Sequence, residues 1–148
     1  MLAVVKVLQH SIRTIFFFVS NVTQATYQLT RLDSDEITVL NVYRSSNAGH
    51  TFIADLKSML CTARATCVIC GDFNIDYMRE KEHAIVQELS QLGFTQKVEK
   101  ATHDMGGLLD HVWTNNLFDV HVHQQSPYFS DHDIISVTWV PDNAIMVE

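Results

Sequence analysis

Basic side chains are scarce in this sequence, and so are the residues that break or cross-link a chain. Of 148 residues, 10 are Lys or Arg against 17 Asp and Glu, a formal net charge of −7. A protein that grips nucleic acid along a track does so with a basic face, because counterion release dominates that affinity. The cations here are scattered from Lys6 to Lys100 and outline no such face. A phosphate-cleaving centre is not excluded, because a bound divalent cation supplies positive charge locally. Two Pro and five Gly leave no flexible linker or low-complexity stretch, and no repeat occurs at solenoid periods. Three Cys make no disulfide framework. Cys67 and Cys70 form a CxxC, but within a run that reads as a buried strand. Redox CxxC pairs open a helix instead, so these are expected to be apolar thiols in a reducing compartment. The N-terminal run Ile15-Phe16-Phe17-Phe18-Val19 has five residues, short of the ~7–15 of a secretory core or the ~20 of a membrane span. An intracellular protein, nuclear or cytoplasmic and without a membrane segment, is expected.

Apolar residues are plentiful at 47%, enough for a packed core. Residues 22–32 alternate loosely and are rich in β-branched and aromatic side chains, which predicts a strand. Residues 37–43 are nearly all apolar, as in a strand covered on both faces, and the two pair as a hairpin across a polar turn. Ser45-Ser46-Asn47-Ala48-Gly49 carries helix-cap chemistry, and Phe52, Ile53, Leu56, Met59, Leu60 and Ala63 then recur at helical spacing. Residues 66–70 read as a buried strand and residues 80–92 as a second helix stopped at Gly93. Residues 94–98, 109–114, 119–123 and 134–140 read as strands, and residues 141–148 as a frayed tail. The order implies an α/β (α+β) domain, a mixed or antiparallel sheet with two covering helices. Its second face has little to cover it except residues 1–21, so Phe16 to Phe18 are expected to pack there.

Three short motifs end predicted strands: Gly71-Asp72-Phe73-Asn74, Leu109-Asp110-His111-Val112-Trp113 and Ser130-Asp131-His132-Asp133. Loops after strands are where a scaffold presents reactive side chains. Phosphodiester hydrolysis needs an activated water, a cation to neutralise developing charge and a donor to the phosphoryl oxygens. Asp72 offers a carboxylate beside a glycine. Asn74, two residues on, projects to the same side if the backbone is extended. His132 donates to a phosphate oxygen most strongly as imidazolium, which a carboxylate partner favours; Asp110 is the candidate partner. Asp131 is a hard oxygen ligand suited to Mg²⁺ or Mn²⁺.

In order and spacing these motifs resemble the C-terminal half of the endonuclease/exonuclease/phosphatase superfamily: a GDxN, then a D-x-I/V-W/F strand, then a terminal SDH. Val39-Leu40-Asn41-Val42-Tyr43-Arg44 resembles the strand that ends in that family's phosphate-contacting Tyr. Thr102 and Gly107 resemble the approach to the second motif in retroelement-type endonucleases. The likeness spans residues 22–140 and implies half of a four-layered α/β-sandwich. It also implies metal-dependent phosphodiester cleavage, endonuclease-like on nucleic acid. On that pattern Asp72 orients or deprotonates the attacking water and contributes to the metal site. Asn74 positions water and phosphate. His132, supported by Asp110, stabilises the transition state. Asp131 contributes to the metal site, and Tyr43 touches the phosphate, with Asn47 as a loose match to an Asn that follows it.

The family domain is about twice as long, and its first half brings an Asn and a metal-binding Glu; neither has a counterpart before Val22. An exposed inner sheet face, available for self-association, and weak metal binding are the expected consequences. Two alternatives stand beside the hydrolase. One is a non-enzymatic remnant of such a domain. The other is a metal-binding module using His121 and His123, two residues apart on one strand face, joined by His111 and His103.

Overall fold

The computed structural model describes residues 13–15, 26–34, 36–115 and 119–139. The expectations for Phe16 to Phe18, for the start of the first strand at Val22 and for the tail 141–148 lie outside these residues. Ten elements follow in order: β1 (Arg13–Ile15), β2 (Tyr27–Asp33), β3 (Thr38–Arg44), α1 (Thr51–Cys61), β4 (Cys67–Asp72), α2 (Ala84–Gln91), β5 (Thr95–Gln96), β6 (Asp110–Thr114), β7 (Val120–Gln125) and β8 (Ile134–Trp139). The fold is α+β. Five strands form a mixed sheet in the order β2-β3-β4-β6-β5, and β1-β8-β7 form a second, smaller sheet. In the large sheet β2 and β3 form the antiparallel hairpin, β4 runs parallel to β3, and β6 runs antiparallel to β4.

One sheet with an open second face was expected; two sheets are observed, and the face is covered. The reason lies in the burial patterns. In β3 every residue but Tyr43 is buried, and β6 is buried throughout. Strands of that kind need cover on both sides. On one side Leu40, Val42, Ile69 and Trp113 pack with Phe52 and Leu56 of α1 and with Ile85, Val86 and Leu89 of α2. On the other, Val39, Val68 and Val112 pack with Val137 and Trp139 of β8 and with Val120 and Val122 of β7. The small sheet is one-sided: along β7 the residues alternate between half-buried and exposed. Both Trp side chains are core residues, 1% and 3% exposed at Trp113 and Trp139.

Two local expectations change. The loop after β3 does not cap α1, whose N-terminal residue His50 makes no side-chain cap bond; Ser45 donates instead to Asn47 at 2.5 Å. The second helix starts at Ala84 rather than Glu80, because His83 Nδ1 accepts the Ile85 N–H at 3.2 Å and fixes the cap there. The three thiols are free. Burial pushes both Cys67 and Cys70 up to about 12, so both are protonated and unreactive. No helix among the described residues is long and apolar enough to cross a membrane.

Candidate active site

The register of the large sheet lines up three of the candidate side chains. Tyr43 pairs with Asp72, and Asp72 with Asp110. Register partners share a face and residues two apart along a strand do too, so this row lies on the face of Val39, Val68 and Val112, toward the small sheet. Gly71 makes the row possible. Its φ is +133°, and a Cβ there would sit 2.0 Å from the Val42 carbonyl oxygen, so no other residue fits between β3 and β6.

His132 reaches this row from the loop before β8. Its Nδ1–H donates to Asp110 Oδ2 at 2.8 Å. The same oxygen accepts the Thr102 hydroxyl at 2.7 Å, while Thr102 Oγ1 accepts the N–H groups of Leu109 at 3.1 Å and Asp110 at 3.0 Å. The hydroxyl's one donor and two acceptor sites are thus all used, and Asp110 is fixed from behind. The His132 N–H is capped by Ser130 Oγ at 3.1 Å.

Asp72 is 4% exposed. Burial, and after it the charge of Asp110, pushes its carboxyl up to about 7, against the Asn74 N–H it accepts at 2.8 Å. The hydrogen bond to Asp110 raises His132 and outweighs its burial. Desolvated like charges on one side and an imidazolium held by a carboxylate on the other are what drive these shifts.

Asn74 departs from the alternation argument. β4 ends at Asp72, and Asn74 adopts a left-handed conformation with φ +51°, which Asn tolerates better than most residues. Its position follows from a turn bonded back to Asp72, and its side chain is exposed. Tyr43 is half-buried beside Asp72, whereas Asn47 sits exposed in the loop.

Asp131 does not join Asp72. Among the described residues two sets of three ligand-type side chains have donor atoms within 4.8 Å of one another: Asp72, Asp110 and His132, and His103, Asp131 and His132. Asp131 follows its loop outward to His103, whose Nε2 lies 3.4 Å away. His103 Nδ1 accepts the Met105 N–H at 3.1 Å, so Nε2 carries the proton of the neutral ring and is a donor to Asp131 rather than a cation ligand. In both sets an imidazole thus faces a carboxylate, and the first set holds two carboxylates where the second holds one. Of the four histidines of the metal-binding alternative, His103 enters the second set, and His121, His123 and His111 enter neither. His121 and His123 are exposed on β7, and His111 is buried in the opposite core.

Two residues carry more of the site than their sequence context announced. His111 is 1% exposed and stacks on Phe73 at 4.7 Å. It accepts the Trp113 indole N–H at Nδ1 and donates from Nε2 to the carbonyls of Ile75 and Leu108 at 2.8 and 3.2 Å. Burial holds it neutral, down to about 4. Asp76 Oδ1 accepts the N–H groups of Met78 and Leu108. Together they tie the loop after Asp72 to the loop before Asp110. An Asp bonding two residues on is a turn signature that could have marked Asp76; nothing local marked His111. The chain matches no family model, no curated protein and no solved structure.

Proposed function

We propose that this protein hydrolyses phosphodiesters with the help of Mg²⁺ or Mn²⁺, acting on nucleic acid in the manner of an endonuclease. The observation that carries this is the gathering of Asp72, Asp110 and His132, with donor atoms within 4.8 Å, at one rim of the large sheet. Burial first, and the charge of Asp110 after it, raises Asp72, and a cation between the two carboxylates would relieve both. Hard oxygen donors in that arrangement suit Mg²⁺ or Mn²⁺. Asp72 and Asp110 would hold such an ion, which would supply charge neutralisation for the phosphoryl oxygens and keep both carboxylates ionised.

The protein's own groups divide the remaining tasks. Asp72 accepts a hydrogen bond from the attacking water and orients it. His132, anchored through Nδ1 by Asp110, offers Nε2–H in its protonated form, which Asp110 favours, to the phosphoryl oxygen on which charge develops. Asn74, exposed on its turn, supplies an uncharged amide to the same phosphate, and Tyr43 contributes a hydroxyl from the neighbouring strand. Asp131, paired with His103, stands beside this centre and outside its carboxylate pair.

The test is cleavage of supercoiled and abasic DNA with Mg²⁺ by the wild type, Asp72→Ala and His132→Ala. Each substitution is expected to slow cleavage by about 10²–10⁴-fold, the usual contribution of a positioned acid or base. Equal rates in all three proteins would assign any cleavage to something else. No cleavage by the wild type would favour the remnant without turnover.

A further inference from the structure

Alternation along β3 turns Tyr43 toward the small sheet and Arg44 toward the helices, on the face of Leu40 and Val42. Arg44 is only 7% exposed there. No ion pair among the described residues includes it, and its Nε is buried without a hydrogen-bond partner. The charge of Glu80 acts on it from beyond ion-pair distance, while Glu80 Oε1 accepts the Asp76 N–H at 3.0 Å. A buried cation with no carboxylate against it is costly, and a Met side chain would fill the same space without that cost. What the guanidinium does hold is one carbonyl: Nη1–H donates to the Phe73 oxygen at 3.2 Å.

That carbonyl belongs to the peptide joining Phe73 to Asn74, and the N–H of the same peptide donates to Asp72 Oδ1 at 2.8 Å. A peptide unit is planar, so Arg44 grips its oxygen edge and Asp72 its hydrogen edge. The unit before it is fixed as well, by the Phe73 N–H to the Leu109 carbonyl at 3.0 Å. Register explains the reach: Tyr43 is level with Asp72, so the next residue of β3 is level with Phe73. The grip falls where the chain needs it. Asn74 stands at φ +51°, a conformation unfavourable to a residue with a Cβ.

A cation on a carbonyl also polarises the peptide and strengthens the bond that its N–H makes. Arg44 thus reaches Asp72 through a single peptide unit, from the far side of the sheet. Resting on the phosphodiesterase reading, we infer that Arg44 is a positioning residue of the site: through the Phe73–Asn74 peptide it holds the Asp72 carboxylate and the Asn74 amide in place for the attacking water and the phosphate.

The test uses the full chain with Arg44→Met, which keeps an unbranched stem and drops the cation, and Arg44→Lys, which keeps the charge and a donor. The first readout needs no activity. In Arg44→Met the Asn74 amide should exchange its hydrogen about tenfold faster, the loss of roughly one hydrogen bond, while the Leu40 and Ile69 amides keep their rates. The second is Mg²⁺-dependent cleavage of supercoiled DNA. Its kcat should fall about 10²-fold, the size of a misplacement of about 1 Å, with KM little changed. The urea midpoint should stay near that of the wild type, because relief of the buried cation offsets a bare Phe73 carbonyl. Arg44→Lys should recover part of both readouts. Should Arg44→Met not fold, Arg44→Gln is read in its place. Unchanged Asn74 exchange overturns the inference whatever cleavage does. Equal speeding at Asn74, Leu40 and Ile69 with a lower urea midpoint also overturns it, and makes Arg44 a core residue only. So does full kcat with Asn74 loosened. Faster Asn74 exchange alone, in a protein whose wild type cleaves nothing, refutes the hydrolase and leaves the grip on the peptide standing.

Discussion

The two faces of the five-stranded sheet are built from different materials. Under the helices the core is aromatic and knitted ring to ring: Phe52 meets Phe73 edge-on, Phe73 stacks on His111, and Tyr77 meets both His111 and Trp113. Its one buried imidazole is neutral and fully partnered. Under the small sheet the core is aliphatic, mostly Val, and the same face holds the buried Asp72 and Asp110, a buried Asn41 Oδ1 without a partner, and a buried Thr114 hydroxyl in the same condition. The helix side has such a group too, the buried Arg44 Nε; what sets the small-sheet side apart is its buried carboxylate pair, Asp72 and Asp110, a feature that functional sites share.

The contrast can be broken most severely at Gly71, where β4 lies against the backbone of β3. Gly71→Ala forces a Cβ into the Val42 carbonyl at 2.0 Å. It is expected to cost more than about 4 kcal/mol, as clashes in strained backbone do, and circular dichroism should show little folded protein at 37 °C. A folded Gly71→Ala protein would mean that β3 and β4 are not packed as described.

A smaller effect is expected at Thr102. Thr102→Val keeps the shape, removes the donor to Asp110 and strands the N–H groups of Leu109 and Asp110. The expected loss is about 1–3 kcal/mol, read as a lower urea midpoint. Cleavage should fall as well, because Asp110 loses its backing. Unchanged activity at unchanged stability would show that Thr102 positions nothing.

The gentlest probe is pH, on metal-free protein. The Asp72 carboxyl rises from 3.8 to about 7 on folding. Below 3.8 both states are protonated. Between 3.8 and about 7 the unfolded chain has released a proton that the folded chain keeps, so stability falls as pH rises through this window and then levels. His132, raised by Asp110, adds stability at low pH that is lost as pH rises through its own folded value. His111, held down to about 4 by burial, works the other way between about 4 and its ordinary 6.5, so the probe is the difference between two proteins. In EDTA melts from pH 4 to pH 8, the Tm of Asp72→Asn relative to wild type should rise with pH up to about 7; a constant difference contradicts the burial assigned to Asp72.

Much of the fold was legible in the residues because the strands that matter are extreme. The nearly all-apolar run at residues 37–43 and the buried run at residues 66–70 gave two inner strands within a residue or two of Thr38–Arg44 and Cys67–Asp72. The split into two sheets was not legible. It depends on long-range pairing of β8 with β7 and β1, about which local periodicity is silent. Asp72, Asp110 and His132 were readable as strand-end motifs, and the structure brings them together. Asp131 falls with His103 and His132 rather than with Asp72, a grouping that adjacency in sequence does not reveal because neighbouring residues on a turning loop diverge. Asn74 was assigned through strand alternation, which stopped at Asp72. Thr102 and His111 act through contacts across eight residues or more, and their residue types alone carry no such information.

The candidate centre is divided between two bodies: Asp72 and Asp110 belong to the large sheet, while His132 stands at the entry to β8 of the small one. The 2.8 Å contact is kept by the bonds that tie the His132 loop to Thr102 and Asp104 and by the docking of one layer on another through Val137 and Trp139. Catalysis by such a seam would report on the alignment of the whole sandwich. A trimmed Val137, far from any phosphate, would then dull the reaction by letting the layers slip, long before the protein melts.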